Sequence, residues 1–276
     1  MRRRSKTAGK QSMAVVAVFL VLAAAAAVVA GYFLGRVVMQ FIFSPSEPAA
    51  APKPPATPPA PTVAKVDVSL PAITLHRVQV GAFGNPENAA ALASEMQKKG
   101  LPAYVMGPSG GDAFYRVACG LYTNKDAANR MADSIKQKGY QVYVGKLEIG
   151  AKAFTLESTD QAYLNKAKAA YEYLAQAIFK QAVMWDNYQL NKRTTLKDDS
   201  VALETAVREH HLALTALTPP AGLSERHRAL TGIYEALLRN AVELRNLMEK
   251  GATNHYVNSA MFFVEAVEKY VAHTLR

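Results

Sequence analysis

Six side chains between residues 77 and 143 have the chemistry of a shallow carbohydrate site. They combine aromatic rings, which can stack on sugar faces, with amide and guanidinium groups, which can bond to hydroxyls. If the strands that carry them alternate regularly, all six point to the same side of one sheet: Arg77, Gln79, Tyr104, Phe114, Arg116 and Tyr143. A merely solvated sheet surface does not need three aromatic residues, so we interpret this set as a binding face.

Other candidate reactive groups have simpler explanations. His210 and His211 are adjacent, so on a helix they point about 100° apart and do not chelate one metal together. Asp198 and Asp199 fit the start of a helix better than an acid pair. No nucleophile stands at a recognisable spacing from a base. The sequence therefore predicts no enzyme, and neither a metal nor a cofactor.

The stretch that carries the binding face contains one unit written twice. Residues 76–105 and 115–144 align without a gap, which is the signature of an internal structural duplication. Ten positions are identical in the two copies: Arg77/Arg116, Val78/Val117, Gly81/Gly120, Asn85/Asn124, Ala89/Ala128, Ala93/Ala132, Lys99/Lys138, Gly100/Gly139, Tyr104/Tyr143 and Val105/Val144.

Each copy is predicted to fold as strand, helix, strand. Asn85 and Asn124 are suited to cap the helices, and Gly100 and Gly139 to end them. Two such units predict an α+β domain of ferredoxin-like βαββαβ topology, with a four-stranded antiparallel sheet and both helices on one face. The other face is expected to be uncovered. Cys119 is expected to be a buried, unreactive residue of the helix-covered face.

This pattern resembles the SPOR (sporulation-related repeat) domain over residues 73–149. The resemblance is carried by Arg77-Val-Gln-Val-Gly-Ala-Phe83, the alanine-rich helix before Gly100, and Tyr115-Arg-Val-Ala-Cys-Gly120. It implies binding of peptidoglycan, chiefly glycan strands stripped of stem peptides, on the open sheet face. Within it, Gln79, Phe114 and Arg116 take the positions of binding residues. Ala82 stands where the family often has serine.

The N-terminal region has the pattern of a membrane anchor. The formal net charge is +10, and half of it lies in residues 1–12, which contain five basic and no acidic residues. Residues 13–35 carry no charge, and the apolar run continues to 43 beyond Arg36. The sequence predicts a cytoplasmic tail (1–12) and a transmembrane helix within 13–43, with everything that follows outside the cytoplasm. A cleaved signal peptide is the alternative, disfavoured by the length of the run.

Two further segments complete the predicted organisation. Residues 44–72 are rich in proline and alanine and are predicted to be an extended linker. Residues 155–276 show apolar residues at spacings of three and four and are predicted to form an antiparallel bundle of about four helices. After Lys152 we expect helices alone. This region resembles no family, and its role stays open.

The predicted function is that of a single-pass envelope protein that binds peptidoglycan and is targeted to the septum in cell division or sporulation. Its expected partners are glycan strands, the lipid bilayer and other envelope proteins of those processes. The alternative is an envelope scaffold that acts mainly through protein contacts of the helical region. Single-stranded RNA is bound by the same topology, but the third strand lacks the required aromatic signature, so no nucleic acid is expected.

Overall fold

The computed structural model describes residues 62–109, 113–192 and 194–274. Within these residues the chain forms two antiparallel sheets and six α-helices. The strands are β1 (Ala64–Leu70), β2 (Ile73–Phe83), β3 (Tyr104–Met106), β4 (Tyr115–Tyr122), β5 (Tyr143–Ile149) and β6 (Lys152–Ser158). The helices are α1 (Pro86–Lys98), α2 (Lys125–Lys136), α3 (Gln161–Gln189), α4 (Leu196–Thr215), α5 (Ser224–Lys250) and α6 (Thr253–Thr274).

The duplicated stretch folds as its repeat predicts. Strands β2 to β5 form one sheet in the order β3-β4-β2-β5, and α1 and α2 cross the same face. The side chains of Asn85 and Asn124 cap these helices, each accepting two backbone N–H groups. Gly100 and Gly139 follow the helices with φ of 74° and 88°, the left-handed conformation that glycine adopts without strain.

The pairing of β2 with β4 is irregular at the centre of the sheet. Gln79 pairs with Ala118 and Val78 with Gly120, so Cys119 has no directly opposed partner and β4 bulges there. Cys119 is buried, as expected, and burial raises the pKa of its thiol well above the ordinary value. The strict alternation assumed from the sequence ends at this bulge.

A second, two-stranded sheet joins the segments on either side of the duplicated stretch. Strands β1 and β6 pair antiparallel, and Leu70 lies opposite Lys152 just as Ile73 lies opposite Ile149. The register is therefore unchanged between this sheet and the β2–β5 pair, and the two form one interrupted ribbon. This ribbon corrects two predictions from the sequence, a linker that includes residues 64–70 and helices alone after Lys152.

The C-terminal region forms the four expected helices. The apolar stripes read from the sequence are buried, including Leu174 and Trp185 on α3 and Leu237 on α5. Buried polar groups also join helices: the Nδ2 of Asn240 on α5 donates to the Ser259 carbonyl of α6 at 2.6 Å. These helices pack around one core with the sheet rather than forming a separate bundle.

The sheet face opposite α1 and α2 is partly covered, contrary to the sequence prediction. Tyr104, Ala118 and Gln79 are cross-strand partners in one row and therefore share that face. Helix α6 packs against β3 and β4, and α3 packs against β2 and β4. Ala118 is only 1% exposed. Helix α6, about 150 residues further along the chain than β4, covers this face on the β3 side and supplies the apolar surface against which β4 packs.

The predicted fold class also needs correction at its N-terminal end. Among the residues that the structure describes, no helix is both long enough and apolar enough to cross a membrane. The segment 13–43, for which a transmembrane helix was predicted, lies outside the described residues, as do the tail 1–12 and most of the linker 44–72.

Candidate functional site

The uncovered part of the sheet face lies on the β5 side. Gln79 of β2 is the direct partner of Tyr143 of β5, and Arg77 is the partner of Gly145. Residues two apart on a strand share a face, so these four residues lie on one side of the sheet. The ring of Tyr143 is 66% exposed, whereas Arg77 and Gln79 are half-buried. We call Arg77, Gln79 and Tyr143 the open strip.

Gly145 determines how the Tyr143 ring lies. A Cβ atom at Gly145 would stand 2.6 Å from Cε1 of Tyr143, so the ring edge that carries this atom occupies the space beside the glycine. Because Gly145 is opposite Arg77, the ring also lies beside that guanidinium-bearing residue. The exposed ring offers an apolar aromatic surface that a sugar ring can contact. In the sequence, the only signal for the role of Gly145 is its spacing of two residues from Tyr143.

Gln79 carries an acceptor without a donor. Its Oε1 is buried and accepts no hydrogen bond from any described residue. A buried, unsatisfied amide oxygen costs about 1–3 kcal/mol. This oxygen is therefore not explained by a contribution to the stability of the sheet.

Phe114 and Arg116 extend the open strip at the start of β4. Phe114 is 49% exposed, directly before the strand. A guanidinium nitrogen of Arg116 donates to the Phe114 carbonyl at 3.4 Å, and Arg116 lies opposite Ala82 of β2. The structure thus places five of the six predicted residues on or beside the accessible part of the face. Ala82 of β2, a small residue, lies opposite Arg116.

Tyr104 is separated from the other five. Its hydroxyl donates to the carboxylate of Glu268 on α6 at 2.8 Å. Burial and the charge of Glu268 raise the pKa of Tyr104 well above its ordinary value. The Tyr104 side chain therefore helps to hold α6 against β3.

Other candidate groups have structural roles. The ring of His210 stacks on Tyr173 with centroids 4.4 Å apart, and burial lowers its pKa. Among residues 62–274, so far as they are described, no group of three or more His, Cys, Asp or Glu side chains is placed to hold a metal ion.

Comparison with known proteins identifies the domain that carries the open strip. Residues 73–144 match the family model of the SPOR domain. The chain belongs to the SPOR domain family. The domain accounts for β2 to β5 with α1 and α2, while β1, β6 and helices α3 to α6 lie outside the match.

One solved structure similar to this chain is the peptidoglycan-binding domain of the B. subtilis cell wall lytic enzyme CwlC. It is 33% identical, and the alignment covers 27% of this chain and 91% of that chain, with a TM-score of 0.24. No curated protein matches the chain. The similarity is thus confined to the SPOR domain, and the helical region has no identified relative in these comparisons.

Proposed function

We propose that this chain binds peptidoglycan in the cell envelope through the uncovered side of its SPOR sheet. The proposal is supported by the family of residues 73–144 and by the peptidoglycan-binding domain to which they are similar. The observation that carries it is the open strip: the exposed ring of Tyr143 stands beside a glutamine and an arginine, on the part of this face that lies away from α6.

The chemistry of the strip suits a glycan. The flat faces of Tyr143 and Phe114 can cover the apolar faces of pyranose rings. The amide of Gln79 can exchange hydrogen bonds with hydroxyl or acetamido groups, and the guanidinium groups of Arg77 and Arg116 can donate to sugar oxygens. Recognition would come from several shallow contacts along the chain of sugars.

The covered part of the face limits what can bind. With α6 over β3, the accessible surface spans about two strand spacings, roughly 10 Å across. That width accommodates a single glycan strand. The proposed ligand is glycan stripped of its stem peptides, the ligand that the resemblance to the SPOR domain implies.

Binding to denuded glycan would also determine where the chain is localised in the cell. We extend the proposal to targeting: the chain is retained where such glycan accumulates, at septa formed in cell division or sporulation. The helical region, which packs on the same domain, would be carried to that place with it.

The test is co-sedimentation of the purified chain with sacculi before and after amidase treatment. The proposal predicts that removal of stem peptides increases the bound fraction. Equal sedimentation with both preparations would argue against a preference for denuded glycan, and no sedimentation with either would argue against peptidoglycan binding itself.

A further inference from the structure

A cleft beside the β1–β6 ribbon has no role assigned to it so far. It has a volume of about 490 Å³ and lies between the β1–β6 ribbon, the first turns of α5 and the last turn of α6. Cavities that hold small molecules measure about 300–1,000 Å³. The cleft belongs to a part of the chain outside the SPOR match, so it is independent of the open strip.

Positively charged side chains predominate in the lining of the cleft. Its lining includes four cationic side chains, Lys152, Arg226, Arg228 and Lys269, and one acidic side chain, Glu225. Residues 150–276 as a whole are almost neutral, with fifteen Lys and Arg against fourteen Asp and Glu. The cations are therefore concentrated here, where they create a local positive potential.

Two of these cations are not neutralised by ion pairs. Arg226 and Arg228 make no salt bridge with any described residue, and both are exposed. The guanidinium carbon of Arg226 lies 4.8 Å from the centroid of the Phe154 ring. This stacking holds the planar group in place while its N–H donors stay available.

The floor of the cleft contains a glycine that packing does not require. Gly232 lies within α5, and a Cβ atom there would meet nothing within 4 Å. Glycine within a helix costs about 0.5–1 kcal/mol relative to alanine. The missing side chain therefore leaves space in the cleft at some cost to the helix.

We propose that this cleft binds a small organic anion carrying carboxylate or phosphate groups. Arg226 and Arg228 supply planar donors that match both kinds of acidic group. Lys152 lines the cleft at the ribbon, and Lys269 lines it at α6 while paired with Glu265 at 3.0 Å. Leu70 and Phe154 form an apolar wall for the body of the ligand. The absence of a side chain at Gly232 provides the room.

The test is isothermal titration of the full chain with three probes. Tricarballylate and glycerol 3-phosphate carry the two acidic groups, and glycerol is the neutral control. The proposal predicts saturable binding of at least one anion, weakened by salt, and none of glycerol. Binding of only one anion would identify the preferred group. Failure of both anions to bind at millimolar concentration would overturn the proposal.

Variants distinguish the cleft from general charge attraction. Gly232→Leu should fill the floor, and Arg226→Gln with Arg228→Gln should remove two cations; each should weaken binding by about tenfold or more, about 1.4 kcal/mol. The matched control is Lys166→Gln with Lys197→Gln, which removes two exposed cations outside the cleft. Equal weakening by the control pair would overturn the proposal, and melting temperatures would verify that each variant is folded.

Discussion

The hydroxyl of Tyr104 donates a hydrogen bond of 2.8 Å to the carboxylate of Glu268, which lies 164 residues further along the chain. The same carboxylate accepts the backbone N–H of Gly107 at 2.5 Å. One side chain of α6 therefore fastens both β3 and the residue that follows it. This contact holds α6 against the β3 side of the sheet face.

Tyr104→Phe should loosen this attachment. The substitution removes the hydroxyl and leaves the half-buried carboxylate with the Gly107 N–H alone, so we expect a loss of about 1–3 kcal/mol in the free energy of unfolding. Urea denaturation measures it. Tyr115→Phe is the control, because the hydroxyl of Tyr115 has no partner among the described residues. Equal effects of the two substitutions would show that the Glu268 contact contributes nothing.

The SPOR domain should be less stable alone than in the full chain. Ala118 and Leu121 are each 1% exposed, and the face they occupy is covered by helices outside residues 73–150. Cutting the chain at these limits exposes that apolar surface, at about 25 cal/mol for each Å². We expect a lower melting temperature and faster amide exchange in β3 and β4 of the fragment. Equal melting of fragment and full chain would contradict the shared core.

The sequence predicts the parts of this fold that are determined locally. The duplication, the Asn85 and Asn124 caps and the glycines after α1 and α2 are signals contained within a few residues, and the structure confirms them. The apolar stripes of α3 to α6 are local in the same sense. Regular alternation also placed Gln79 and Tyr143 correctly, because β2 and β5 pair without a shift.

Long-range pairing was not predictable in this way. Strands β1 and β6 are separated by about 80 residues, and neither short segment indicates its partner. The contact of Tyr104 with Glu268 depends on how α6 docks, which periodicity within α6 does not specify. Neither the β1–β6 pairing nor the Tyr104–Glu268 contact could be predicted, because the surface that one segment buries is supplied by a distant part of the chain.

Gly145→Ala should displace the ring of Tyr143 while leaving the fold intact. The added methyl would stand 2.6 Å from Cε1 of the ring, and the side chain can rotate away from it. We expect sacculus binding to weaken several-fold with a change of less than about 0.5 kcal/mol in unfolding free energy. Co-sedimentation and urea denaturation measure the two quantities. Unchanged binding would mean that the orientation of this ring does not matter to the ligand.

The ion pairs of Glu204 give a pH dependence with a definite sign. Burial opposes its ionisation, but Arg245 at 2.6 Å and Arg208 at 2.7 Å outweigh that effect and lower its pKa. A lowered pKa in the folded state contributes stability above the unfolded pKa, and this contribution is lost as the pH falls through the folded value.

Glu204→Gln should therefore cost about 1 kcal/mol at neutral pH and lose its effect in acid. Unfolding free energies of the variant and the parent, measured at intervals from pH 7 downward, test this, since the difference should begin to shrink below the ordinary carboxyl pKa and continue to shrink as the pH falls through the lowered folded value. Glu157→Gln is the control, because its pair with Lys65 is exposed. A difference that persists undiminished in acid would contradict the assignment.

The central claim is that the uncovered side of the SPOR sheet holds the glycan, and the most direct measurement is sacculus binding by Gln79→Ala with Phe114→Ala. Its control is Gln176→Ala with Phe179→Ala on α3, where Phe179 is 51% exposed compared with 49% for Phe114. We predict binding at least about tenfold weaker, about 1.4 kcal/mol, for the first pair only, with both proteins melting near the parent. Binding by the Gln79/Phe114 variant equal to that of the parent would contradict the account.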